Sequence, residues 1–289
     1  MTTEERPYSP GLAGVLAGET ALSLVDGANG RLLYRGYPIG ELVREGSFAQ
    51  VAHLLWADEW LPEAHLPCAP LQPSILAALR DLPDGAHPMD ALRTAFSVWG
   101  ATNRTVWPPT IEQAREITAI APSALAAFGR LRQGLEPIDP DPALDTTAGF
   151  LYQLNGEVPD EAAARALDAY FIVGADHGFN ASTFAARVIT ATRSDIASAV
   201  SGATGALKGP LHGGAPSEVV SQLNEIGTPE AAEEWINAAL DRKERLMGFG
   251  HRVYRAYDPR AAALREVAMH MSSIADWLEL AVAVEDVAL

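Results

Sequence analysis

The sequence predicts a mainly α-helical protein that opens on a small β-hairpin, for three reasons. From residue 47 onward apolar residues recur three and four positions apart, the period of a helix with one buried face. Clusters of proline and glycine (LPDGAHP, WPPT and EPIDPDP) punctuate those stretches at helix-length intervals. Strand-like and helix-like segments do not alternate, so nothing indicates a parallel sheet of the dinucleotide-binding kind. No repeat of fixed period and no low-complexity tract stands out.

Residues 21–36 alternate around a Gly/Asn turn, ALSLV-DGANG-RLLYRG, and read as the hairpin. Ser47 followed by Gln50 makes a capping-box signature ahead of FAQVAHLLW. Further helices are expected near 70–82, 88–101, 110–134, 145–155 and 160–174. In SDIASAVSGATGALKG, Ser194 or Asp195 can cap the start, and Ile196, Ala199, Val200, Ala203 and Leu207 form one stripe. Gly209 and Pro210 then stop that helix. Asp258-Pro259 reads as another start, with the aspartate as N-cap and the proline in the first turn. WLELAVAVEDVAL places Leu278, Ala281, Val282 and Val287 at helical spacing and runs to Leu289 without a stop signal, the expectation for a chain cut short or lacking a tail.

Composition narrows the function classes. A net charge of −16 repels phosphate backbones, so no nucleic-acid partner is expected. An anionic ligand would need arginines gathered locally against that field. Arginine supplies nearly all the basic residues, Lys208 and Lys243 being the only lysines, and its forked donors suit carboxylates and phosphates. No apolar run is long enough to span a bilayer, and MTTEERPYSP lacks the apolar core of a signal peptide. No membrane association and a cytoplasmic location are therefore expected. Cys68 is the only cysteine, which excludes an internal disulfide and a thiolate zinc cage; flanked by prolines, it is not read as a nucleophile. No two histidines stand at i, i+4 and no G-x-S-x-G elbow is present, so neither a metal site nor a serine hydrolase is expected.

Three of the seven histidines have unusual settings. His53 lies inside FAQVAHLLW and reads as a packing residue, while His65, His87 and His270 have polar or proline-rich neighbours and are given no role. His177, in ADHGFNAST, follows one helix and precedes another, with Asn180, Ser182 and Thr183 able to cap; locally it reads equally well as a capped inter-helix turn. His212, in GPLHGGA, lies just past a helix end among glycines that leave room for a ligand, or for solvent. His251 belongs to MGFGHRVYRAYDPRAAALREVA. There Arg260 falls in the first turn of the helix begun by Asp258-Pro259, beside exposed N–H groups and the positive end of the dipole, an arrangement that attracts carboxylate or phosphate. Arg252 and Arg255 add positive charge. By itself the segment also fits a helix–loop–helix with an exposed arginine-rich face. Its Gly-Phe-Gly is no dinucleotide fingerprint, because no strand precedes it.

GFGHRVYRAYDPR, residues 248–260, resembles the citrate synthase signature throughout, and MDALRTA, ADHGFNAST and KGPLHGGA resemble further blocks in the family's order. YRGYPI and FAQVAHLLW resemble the N-terminal part of its compact bacterial and archaeal type. The resemblance covers nearly the whole chain. It implies a citrate synthase-like two-domain helical fold in a homodimer, with residues 1–214 in a large helical domain and 215–289 as the N-terminal portion of a small domain that closes over the substrates. The implied reaction condenses acetyl-CoA with oxaloacetate and hydrolyses the thioester to give citrate and CoA. No cofactor is implied, acetyl-CoA being a substrate.

By position, the resemblance makes His212 the donor to the thioester oxygen and His251 the group that polarises and protonates the oxaloacetate carbonyl. His177 and Arg260 match groups that bind oxaloacetate or citrate. Arg255 looks like a contact to CoA phosphates, and the Leu246–Gly250 loop, with Leu246, Gly248 and Gly250, like part of the adenine site. These residue types suit the chemistry: a neutral imidazole N–H stabilises an enolate oxygen without ionising, and a guanidinium complements a dicarboxylate. Two departures modify the expectation. The family's catalytic aspartate and further substrate arginines belong to a block beyond Leu289, so efficient catalysis is not expected of the 289 residues as written. Gly174 stands where many relatives carry a histidine, three residues before His177. Two alternatives follow: a 2-methylcitrate synthase using propionyl-CoA, and a non-catalytic paralogue that keeps the fold.

Overall fold

Asp26 and Arg31 face each other across the first turn of the chain, pairing strand β1 (Ser23–Asp26) with β2 (Arg31–Tyr34) in antiparallel register. The computed structural model describes residues 17–210, 212–213, 215–249, 254–271 and 275–288, with the backbone alone at 215–217 and 275–276. The expected hairpin is present and is extended by a third strand, β3 (Tyr37–Pro38), which pairs with β2. The connecting turn uses left-handed backbone at Arg35 and Gly36 (φ 47° and 90°). The inner face of β2 presents Leu32 and Tyr34, both fully buried.

Thirteen α-helices follow among the described residues: α1 (Ile39–Glu45), α2 (Phe48–Ala57), α3 (Pro73–Arg80), α4 (Pro88–Thr102), α5 (Ile111–Arg132), α6 (Thr146–Asn155), α7 (Glu161–Gly174), α8 (Ala181–Ala191), α9 (Ile196–Leu207), α10 (Ala215–Ile226), α11 (Ala232–Asp241), α12 (Pro259–Ala268) and α13 (Ala275–Ala288). Their starts are written in side chains. Ser47 and Gln50 satisfy each other's backbone N–H at α2, and Thr110 and Gln113 repeat the device at α5. Asp195, rather than Ser194, caps α9 by accepting from Ser198 N–H at 2.8 Å. His87, given no role in the sequence, caps α4: its Nδ1 accepts from Met89 N–H at 3.1 Å. His65 ties the chain to the N-cap of α6 through Asp145 at 2.7 Å. No helix among the described residues is long and apolar enough to cross a membrane.

Among the described residues, three of the hydrophobic clusters organise these elements. One joins β2, α1, α2, α7 and α12 around Leu32, Tyr34, Leu42, Leu54, Ile172 and Ala263. A second joins α3, α4, α5 and α9 around Ile75, Phe96, Trp99 and Ile120. A third, of Ile226, Ile236, Leu280 and Val284, holds α10, α11 and α13 together. The chain after residue 215 therefore serves two cores: α12 packs against α1, α7 and β2, while its neighbours in sequence gather around their own cluster. That placement carries the N-terminus of α12, with Arg260, to the segment that holds His177.

Candidate active site

The turn around His177 is built by backbone bonds to its flanking residues. Helix α7 ends at Gly174, and Gly178 (φ 62°) takes the left-handed conformation that lets the chain reverse into α8. Asp176 Oδ1 accepts from Gly178 N–H at 2.9 Å and from the Ser23 hydroxyl. Asn180 caps α8 by accepting from Thr183 N–H at 2.9 Å, as its position in ADHGFNAST suggests. A Cβ at Gly174 would meet nothing within 4 Å.

His212 lies against the first turn of α8. Its Nε2 is 3.3 Å from Ser182 N and 2.9 Å from Ser182 Oγ. An amide N–H can only donate, so the first contact places the lone pair on Nε2 and the imidazole proton on Nδ1. The Ser182 hydroxyl has one proton for two acceptors, Nε2 and Asn180 Oδ1 at 2.8 Å, and is compatible with that tautomer. The N–H of a first-turn residue has no partner within its helix, so His212 also completes the N-terminus of α8.

Arg260 reaches the same region from the start of α12. Asp258 caps that helix, its Oδ1 accepting from Arg260 N–H at 3.0 Å. The same carboxylate grips the guanidinium, with Nε at 3.0 and 3.2 Å and Nη2 at 2.7 Å. Both partners are three-quarters buried. Burial works against the Arg260 charge, but the Asp258 pair more than offsets it and holds the guanidinium above its ordinary value. Tyr254, 5% exposed, joins the arginine to the histidine. Its ring lies edge-on to His177 with centroids 5.6 Å apart, and the Arg260 guanidinium stands 5.8 Å from the same ring. Burial, reinforced by the Asp258 charge, pushes the Tyr254 hydroxyl above its usual range.

The expected CoA-side residues lie further along. Leu246 packs partly buried against the cluster of α10, α11 and α13. Gly248 (φ 89°) brings the backbone close to α10, where an added Cβ would stand 3.3 Å from Val219. Gln222, 6% exposed, clamps this loop: its Oε1 accepts from Met247 N–H at 2.9 Å and its Nε2 donates to the Met247 carbonyl at 3.4 Å. Arg255 is exposed, and its backbone N–H donates to the Gly27 carbonyl at 2.8 Å. His251 and Gly250 lie outside the described residues.

His177, His212 and Arg260 are thus linked by contacts through Ser182, Tyr254 and the turn 176–182, although 83 positions of chain separate the first from the last. Arg255 and the Leu246–Gly248 loop are tied to other elements, the hairpin turn and α10. Sequence reasoning had no means of finding Ser182 as the His212 partner, the Asp258 grip on Arg260, or Gln222 as a loop clamp. Asp258 carried a signal as an N-cap, Ser182 only as a residue able to cap, and Gln222 none.

Residues 11–289 match the family described as "Citrate synthase, C-terminal domain". The chain is 44% identical over 293 residues to the 2-methylcitrate synthase of Mycobacterium tuberculosis, covering 96% of this chain and 75% of the relative. It is 42% identical over 299 residues to the citrate synthase of Mycolicibacterium smegmatis, covering 97% and 80%. Among solved structures, the citrate synthase of Pyrobaculum aerophilum superposes with a TM-score of 0.87 at 35% identity, covering 99% of this chain and 77% of that one. The citrate synthase of Thermoplasma acidophilum, in ternary complex with carboxymethyl coenzyme A and oxaloacetate, gives a TM-score of 0.86 at 27% identity over 98% and 78%. The ordered motifs, the helical architecture and these similarities agree: the chain belongs to the citrate synthase family.

Proposed function

We propose that the protein is a condensing enzyme of the citrate synthase type that joins the methyl carbon of acetyl-CoA to the carbonyl carbon of oxaloacetate and, with water hydrolysing the thioester, releases citrate and CoA. One observation carries this reading: His212 hydrogen-bonds at the helix end that follows His177, while the Tyr254 ring contacts both His177 and Arg260. The bound oxaloacetate and CoA analogue of the Thermoplasma acidophilum protein support the two substrate classes. In this reading Arg260 and His177 hold oxaloacetate carboxylates, the guanidinium by forked donors. His212, with its proton on Nδ1, donates to the thioester oxygen as charge develops there. His251 polarises the oxaloacetate carbonyl, a role that rests on the motif. Arg255 meets CoA phosphates, and the Leu246–Gly250 loop receives the adenine. Residues 1–214 and 215–289 act as large and small domains that close over the substrates, in a cytoplasmic homodimer that needs no cofactor.

The test follows CoA release from acetyl-CoA plus oxaloacetate, with propionyl-CoA as the second arm, on this chain and on the full open reading frame. A higher kcat/KM with acetyl-CoA is expected. A higher value with propionyl-CoA transfers the assignment to 2-methylcitrate synthesis. Binding of oxaloacetate without CoA release from either protein defines a paralogue that keeps the fold and not the reaction.

A further inference from the structure

The peptide groups on both sides of His177 are held by residues of the N-terminal sheet. The carbonyl preceding it, that of Asp176, accepts from the Tyr34 hydroxyl at 2.8 Å, and the same oxygen of Tyr34 accepts from Asp176 N–H at 3.2 Å. The N–H following it, that of Gly178, donates to the Asp176 carboxylate, which Ser23 of β1 holds in turn. Tyr34 is completely buried on β2, and burial pushes its hydroxyl well above its ordinary value, so it remains a donor across the working pH range. It also lies 3.2 Å from the Val173 carbonyl, one of the unpaired acceptors at the C-terminus of α7. The other end of the hairpin holds the second half of the cluster. Gly27 accepts from Arg255 N–H, and a Cβ on Gly30 would stand 2.8 Å from the Tyr257 carbonyl. Residues 254–258, which carry Tyr254 and Asp258, are therefore seated on the β1–β2 turn.

We propose that the β1–β2 hairpin is the positioning element of the oxaloacetate site, with Tyr34 and Ser23 as positioning residues that act on His177 through Asp176. This rests on the reading of His177 and Arg260 as oxaloacetate ligands. The hairpin touches the His177 turn at one end and the Tyr254–Asp258 loop at the other, so it sets the separation of two ligand groups far apart in sequence. A small displacement of either group weakens a bidentate carboxylate contact more than it weakens the fold.

The experiment compares wild type with Tyr34→Phe, Ser23→Ala and Ser23→Thr. Calorimetric Kd values are measured for oxaloacetate and for CoA, together with amide hydrogen exchange at Asp176 and Gly178. Tyr34→Phe and Ser23→Ala are expected to weaken oxaloacetate about tenfold and leave CoA unchanged. Exchange should accelerate at Asp176 in the first and at Gly178 in the second, and Ser23→Thr, which keeps the hydroxyl, should restore wild-type values. A lowered Tm with unchanged oxaloacetate affinity and unchanged exchange at both amides overturns the proposal, because it leaves the hairpin a purely structural part. Failure of wild type to bind oxaloacetate overturns the functional reading instead. The exchange data then still decide whether the hairpin holds the turn, with no acceleration counting against it.

Discussion

Arg260 shows how much one side chain depends on its neighbour. Its charge is anchored by the cap residue of its own helix, so its fork points where Asp258 sets it. Arg260→Lys keeps the charge and loses the fork. The KM for oxaloacetate is expected to rise by about tenfold or more (~1.4 kcal/mol), with the KM for acetyl-CoA little changed, in steady-state assays of the full open reading frame. His212 is held by its Nε2, and in the proposed reading its Nδ1–H serves the substrate. In the full open reading frame, His212→Ala should lower kcat by about 10²–10³-fold, the loss seen when one oxyanion donor is removed. Cys68 is the opposite case. Burial pushes its thiol up to about 12, and it is 4% exposed beneath the Thr146 carbonyl. Since the thiolate is the reactive form, iodoacetamide at pH 8 should leave the native chain unlabelled and modify it after unfolding, as read by mass spectrometry. At this scale the sequence disclosed which residues are unusual. His177, His212 and Arg260 stand out beside glycines and caps, whereas Ser182, Tyr254 and Tyr34 look ordinary until distant segments are folded against them.

Helix starts and stops were legible because capping chemistry is local. Ser47 with Gln50, Asn180, Asp195 and Asp258 each act within three residues of their own position. Strand β3 was not legible: two residues carry no period, and their pairing with β2 depends on the left-handed turn at Arg35 and Gly36. Helix contacts were equally hidden, and small residues set the closest of them. A Cβ on Gly100 of α4 would stand 2.4 Å from the Ala197 Cβ of α9, which has no side chain to move. A Cβ on Gly202 of α9 would stand 2.3 Å from Ile189 Cδ1 of α8, the far end of a flexible chain. Gly100→Ala should therefore destabilise by roughly 1–3 kcal/mol and Gly202→Ala by clearly less, measured as a difference in denaturation midpoint. Equal losses would mean that the α4–α9 interface yields as easily as a rotamer.

Across the molecule, a net charge of −16 surrounds a site that must receive anions. Arg260 and the exposed Arg255 supply positive charge locally. Affinity for CoA should fall as salt rises, because screening weakens the local attraction that works against the overall field. The distribution of α10 to α13 between two cores escaped periodicity altogether. The sequence of α12 does not say which core it enters, and here the core of β2, α1 and α7 receives it. That choice decides whether Arg260 comes to the Tyr254 ring that His177 also contacts.

A crystal structure with oxaloacetate and a non-cleavable acetyl-CoA analogue tests this arrangement most directly. One oxaloacetate carboxylate is expected on the Arg260 guanidinium within hydrogen-bonding reach of His177, and the analogue's carbonyl oxygen on His212 Nδ1. Oxaloacetate bound in contact with neither Arg260 nor His177, or the analogue's carbonyl away from His212, would contradict it.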